Sequence, residues 1–123
     1  MYEQDNKAII SRFYEEVWNK GNLALIDELI APAFVNHSAG SEEGSDRESF
    51  KQTISKVRAD LRFHHTIEEL IAEGDTVVAR LTGHGETGGG ESSSGERFTA
   101  VGVAIWKLHN GRMVERWAFW EPA

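Results

Sequence analysis

At 123 residues the chain reads as one domain, 1–123, long enough to bury a single core without covalent staples. It has no cysteine, which excludes disulfides, thiolate zinc sites and a cysteine nucleophile. Its net charge of −7 and scattered Lys and Arg argue against nucleic-acid partners, and no apolar run approaches the ~20 residues of a membrane span.

Residues 4–19 read as a helix, with Ile9, Ile10, Phe13, Val17 and Trp18 at helical spacing. Gly21 stops it. Asn22 is placed to cap a second short helix with a Leu23, Ile26, Leu29, Ile30 stripe, and Pro32 is expected to end that helix. Phe34 to His37 is a short extended piece, and residues 38–46 are a Gly, Ser and Glu loop. Ser45-Asp46-Arg47-Glu48 has capping-box spacing and opens a third helix with Phe50, Ile54, Val57 and Leu61 on one side.

From residue 62 the apolar period changes from 3.6 to 2. Residues 62–73 and 75–84 are two strands joined at Glu73-Gly74-Asp75. Residues 85–95 form a Gly, Ser and Glu loop with the composition of a mobile linker. Residues 96–108 and 112–121 are two further strands across Asn110-Gly111, the strongest hairpin signal in the chain. Helices first and strands afterwards argue α+β, with three N-terminal helices packed on one face of a strongly curved antiparallel sheet. The first residues, Met1 to Lys7, lack signal-peptide character, so the expected location is cytoplasmic.

Several segments together resemble the SnoaL-like polyketide cyclases, including relatives of the ester cyclase type. They are Phe13 to Asn22, Asp27 to His37, Ile67 to Arg80 and Asn110 to Trp117, in that order along the chain. The resemblance implies the nuclear transport factor 2-like cone and a hydrophobic pocket between helices and sheet. It implies no metal and no organic cofactor, and a homodimer formed through the sheet. It also implies aldol-type ring closure, with an aspartate on the last strand as acid/base. The matching position here is Ala118, in Trp117-Ala118-Phe119-Trp120-Glu121.

Two readings follow. One is a cofactor-independent cyclase, or a related isomerase or hydrolase, acting on a small hydrophobic carbonyl compound. The other is a non-catalytic small-molecule-binding protein that uses the same pocket; a bare dimerisation module is a third. Proton abstraction needs a base, and with Ala118 unable to serve, the candidates are His37, His65, His84 and Glu121, with Arg116 to hold an anionic oxygen. Arg80, also within a strand, is a second cation of that kind. Trp18, Phe34, Ala118, Trp120 and Trp106 are expected to line the pocket, with Arg116, Ala118 and Trp120 on one face by alternation. Glu121 falls on the other face with Trp117 and Phe119 unless a bulge resets the register. His64 and His65 must point to opposite faces, and the pair reads as a surface or interface feature. His109 reads as exposed. No HxH or HxxxH spacing supports a metal site.

Overall fold

The computed structural model describes residues 2–38, 44–87 and 96–123. Helix α1, Tyr2–Arg12, runs without a break into a π-helical stretch, Phe13–Asn19. The wider turn puts four neighbouring side chains, Phe13, Tyr14, Val17 and Trp18, into the interior together. A 3₁₀ turn, Leu23–Leu25, leads into α2, Ile26–Leu29, whose Ile26 and Leu29 are buried. The helix ends three residues before Pro32, and the side chain of Asn22 caps nothing. Pro32 lies instead within β1, Ile30–Asn36. That strand is at the sheet edge, where a missing N–H is tolerated.

Helix α3, Arg47–Leu61, starts one residue later than the capping-box reading implies. Asp46 is the N-cap, and its carboxylate accepts the Ser49 N–H at 2.9 Å. The helix stops at Arg62, which adopts a left-handed conformation with φ of 47°. The meander follows as β2, His64–Glu73; β3, Thr76–Glu86; β4, Arg97–His109; and β5, Arg112–Pro122. Both hairpins turn where glycine permits positive φ, at Gly74 (57°) and Gly111 (80°), with Asn110 at 50° beside the latter. Most of the expected 38–46 loop and residues 88–95 of the expected 85–95 loop lie outside the described residues.

The expected four-stranded antiparallel meander is present, and β1 extends it. The sheet order is β1-β5-β4-β3-β2, with β1 parallel to β5. Helix α1 and the π-helical stretch pack against β2, while α3 packs against β1. All helices therefore cover one face, as in the nuclear transport factor 2-like cone. The core between the layers is aromatic. Phe13 meets Trp106 at 5.1 Å between ring centres, and Phe34 stacks on Phe50 at 5.4 Å.

Strand alternation then decides what faces the cone. Along β3 and β4 the buried side chains are Val77, Ala79, Leu81, Ala104, Trp106 and Leu108. Bulges interrupt β2 between Ile67 and Glu69, and the β4–β5 pair opposite Lys107 and Leu108. The second bulge lies before residue 116, so the inner set of β5 stays Arg116, Ala118 and Trp120.

Candidate functional site: a cationic, carboxylate-free cone interior

The polar groups of the interior come from four elements. The π-helical stretch supplies Tyr14, β1 supplies Asn36, β2 supplies His65 and β5 supplies Arg116. Register fixes their heights: Arg116 lies across from Trp106, Ala118 from Ala104, and His65 from Gly83.

The Arg116 guanidinium stacks over Phe50 and Trp106, 4.9 and 5.6 Å from the ring centres. Its Nη1 donates to Asn36 Oδ1 at 3.0 Å. No carboxylate pairs with it among the described residues. Burial pushes its pKa down and the neighbouring Tyr14 oxygen pushes it up, but a guanidinium remains charged at neutral pH. Tyr14 accepts a hydrogen bond from Trp106 Nε1 at 3.1 Å. Burial pushes its phenol to about 12, against the opposing pull of Arg116, so its O–H is retained.

His65 is 6% exposed and enclosed by rings. Trp18 lies 4.6 Å away, Phe63 4.9 Å, Tyr14 5.0 Å and Trp120 5.5 Å between centres. Its Nδ1 is buried with no hydrogen-bond partner among the described residues. Burial, then the charge of Arg116, then His64, lower its pKa to about 3, so the ring is neutral. Two glycines make room for the aromatics. Gly83 lies directly beneath Phe63, and a Cβ on Gly102 would fall 2.6 Å from the Trp120 indole.

Of the residues singled out in the sequence, Trp18, Phe34, Trp106, Arg116, Ala118 and Trp120 share this interior. Phe34 and Trp106 are wholly in the core, whereas Trp120 is 37% exposed. Three others lie on the far side of the sheet. His37 follows inward-facing Asn36 and therefore points outward. It meets Glu115 at 3.0 Å and stacks flat on Trp117 at 4.5 Å. Glu121 pairs across from Val101 on the exposed face. His84 faces His64 on the outer surface, their rings 5.2 Å apart.

Sequence reasoning missed Tyr14 and Asn36, and it set His65 aside as a base candidate by reading the His64–His65 pair as a surface feature. Parity carried a signal for two of them: Asn36 is two residues after buried Phe34, and His65 two before Ile67. His64 does lie on the surface, as expected of the pair, but His65 does not. Tyr14 sits one helical turn before Trp18, a position the apolar stripe omitted. Among the described residues no group of three or more His, Asp or Glu is arranged to hold a metal ion. Among the same residues no helix is long and apolar enough to cross a membrane.

Comparison with protein families matches residues 8–123 to the SnoaL-like polyketide cyclases. The chain belongs to this family. Among solved structures it is similar to a candidate polyketide cyclase from Acidithiobacillus ferrooxidans, at 26% identity and a TM-score of 0.81, covering 95% of this chain and 88% of that one. It is similar also to IdmH, a candidate polyketide cyclase from Streptomyces antibioticus, at 25% identity and a TM-score of 0.80, with 94% and 91% covered. A Mycobacterium tuberculosis epoxide hydrolase of the LEH-like type shares the fold at 12% identity, with a TM-score of 0.79 and 98% and 86% covered. No curated protein matches the chain. The family match shows a SnoaL-like polyketide cyclase family member without specifying its reaction or substrate.

Proposed function

We propose that this chain is a cofactor-independent enzyme that moves a proton on a small hydrophobic carbonyl compound, with ring closure as the family's reaction and isomerase or hydrolase chemistry as its relatives. The observation that carries this reading is the Arg116 guanidinium, turned into the cone with no carboxylate partner among the described residues. A buried cation without a counter-ion is costly, and a ligand oxygen that gains negative charge offsets that cost. Enolate formation creates such an oxygen. Arg116 and the Tyr14 hydroxyl are then preset donors, a type of contribution worth about a hundred- to a thousandfold in rate. Trp18, Trp106 and Trp120 supply the apolar contacts.

The test is exchange of the acidic carbon-bound proton of hydrophobic 1,3-dicarbonyl compounds in heavy water, followed by NMR. The expected result is exchange well above buffer, lost in Arg116→Met. Exchange at the buffer rate across a panel of such compounds overturns the catalytic part.

The second reading, a binding protein without catalysis, draws on Ala118. It faces the interior opposite Ala104, so β5 carries no inward carboxylate at the position the family resemblance gives to the acid/base. Tight binding of a dicarbonyl by calorimetry without proton exchange would favour this reading. Activity appearing only in Ala118→Asp would favour it further.

The outer face of the sheet supports a homodimer. Val101, Val103 and Phe119 are exposed there, Phe119 at 63%, and they line a groove of about 350 Å³ with Arg80 at one side and Glu121 at another. A two-fold axis across this groove would cover the apolar strip and bring unlike charges together. Sedimentation at micromolar concentration should give twice the 13.8 kDa of the chain; a monomer overturns the proposal.

A further inference from the structure

Proton abstraction needs a base, and Arg116 is a cation, the Tyr14 phenol keeps its proton, and the Asn36 amide oxygen, which accepts from Arg116 and Ser38, is not basic. The acidic side chains that approach β1 and β5 lie outside the cone: Glu115 is tied to His37, and Glu121 is on the exposed face. Among the described residues one interior group remains, a histidine whose Nδ1 has no partner there.

Two features distinguish His65 from an ordinary core residue. Its backbone is fixed from both sides by one amide: Asn19 Nδ2 donates to the His65 carbonyl and Asn19 Oδ1 accepts the His65 N–H, each at 2.8 Å. β2 is an edge strand, so this clamp replaces a neighbouring strand at that residue and holds the ring's direction. The ring then sits in a sleeve of Trp18, Phe63, Tyr14 and Trp120, leaving Nδ1 without a hydrogen bond. A phenylalanine would fill the same sleeve without desolvating a polar atom, so packing alone does not call for histidine here.

We infer that His65 is the proton acceptor of the interior site, its Nδ1 taking the place of the carboxylate that Ala118 cannot supply. The inference rests on the carbonyl-acting reading above. In the first step the carbon–hydrogen bond next to a carbonyl breaks. Its electron pair becomes the enolate, whose negative oxygen lies against Arg116, and the proton passes to His65 Nδ1. In ring closure the enolate carbon attacks a second carbonyl carbon of the same molecule. The π pair of that carbonyl moves to its oxygen, and this alkoxide takes the proton back from His65. Atoms and charge balance, and no other reactant is consumed.

The electrostatics support the sequence of steps. The groups facing the ring are Arg116 from β5 and Tyr14 from the π-helical stretch, with His64 next to it on β2; the carboxylate that shares a cleft with His65 and Tyr14, Glu15, is on the exposed side of its helix. Burial and the Arg116 charge keep the free imidazole in its proton-accepting form. An enolate beside Arg116 cancels that charge, so the ring becomes more basic as the proton arrives.

The test uses the full chain with ¹⁵N-labelled histidine and benzoylacetone, a hydrophobic 1,3-diketone, as the probe. In the free protein at neutral pH, His65 should show the nitrogen shifts of a neutral ring. With the probe bound it should show those of imidazolium. His65→Phe and His65→Gln should bind the probe within about threefold of the parent while exchange falls about a hundredfold or more. Ala118→Asp placed in the His65→Phe chain should restore part of the exchange.

Parent-rate exchange in both folded variants, or a ring that stays neutral in the complex, overturns the assignment while leaving the carbonyl-acting reading intact. A parent that neither binds nor exchanges the probe overturns both. The nitrogen measurement needs no substitution, so it decides the matter even where a variant does not fold.

Discussion

Arg116→Met should lose at least about thirtyfold in affinity for an acidic hydrophobic ligand while the protein becomes no less stable. A desolvated charge-assisted pair contributes about 2–5 kcal/mol when one partner is removed, and each 1.4 kcal/mol is about tenfold in affinity. The probes are an aromatic carboxylic acid and its primary amide, matched in shape. The parent should prefer the acid, because the guanidinium lacks a carboxylate among the described residues; the variant should show no preference. Methionine keeps the stem and lies over Phe50 and Trp106 as the guanidinium does. Asn36 Oδ1 loses one donor but keeps the Ser38 N–H at 3.2 Å. Replacing an unpaired interior cation with an apolar group is neutral or stabilising in comparable settings. Calorimetry and thermal unfolding measure the two halves. A drop of several degrees in melting temperature without loss of the acid preference would make Arg116 a structural residue and displace the site.

Much of the architecture was legible because it is local. The change of apolar period near residue 62 and the turns at Gly74 and Asn110-Gly111 are properties of short segments, and the structure keeps them. What the sequence hid is non-local. The parallel pairing of β1 with β5 joins residues about eighty positions apart, such as Asn36 with Arg116, and Pro32 was read as a helix end because its edge position is a fact of the sheet. The π-helical widening brings Tyr14 inward beside Phe13, which a strict 3.6 period does not express. On β5 the alternation was legible: Arg116, Ala118 and Trp120 share the inner face because the bulge comes earlier. It was misread on β1 by a single position. His37 is the chemically conspicuous residue, but parity turns its neighbour Asn36 inward and sends His37 to Glu115 and Trp117.

Acid should destabilise this protein through His65 before its carboxylates titrate. In the folded chain the His65 pKa is about 3, against an ordinary value of 6.5. Between those values the unfolded chain binds a proton that the folded chain excludes. Stability contributed by the neutral ring is therefore fully present above about pH 6.5 and is lost as pH falls. The slope approaches about 1.4 kcal/mol per pH unit, and the total by pH 3 is on the order of 4 kcal/mol. Comparing urea unfolding of the parent and of His65→Phe between pH 7 and pH 5 isolates the effect, because the chain's other histidines are common to both and carboxylates with ordinary values near 4 change little there. His65→Phe should remove most of the slope and equal or exceed the parent at pH 5, since it fills the sleeve of Trp18, Phe63, Tyr14 and Trp120 without a titrating nitrogen. Equal slopes in parent and variant would mean that the ring protonates freely in the folded state. The same measurement with a saturating acidic ligand connects stability to chemistry. Negative charge on Arg116 removes the second-largest influence holding the His65 pKa down, so the slope of the complex should be shallower than that of the free chain.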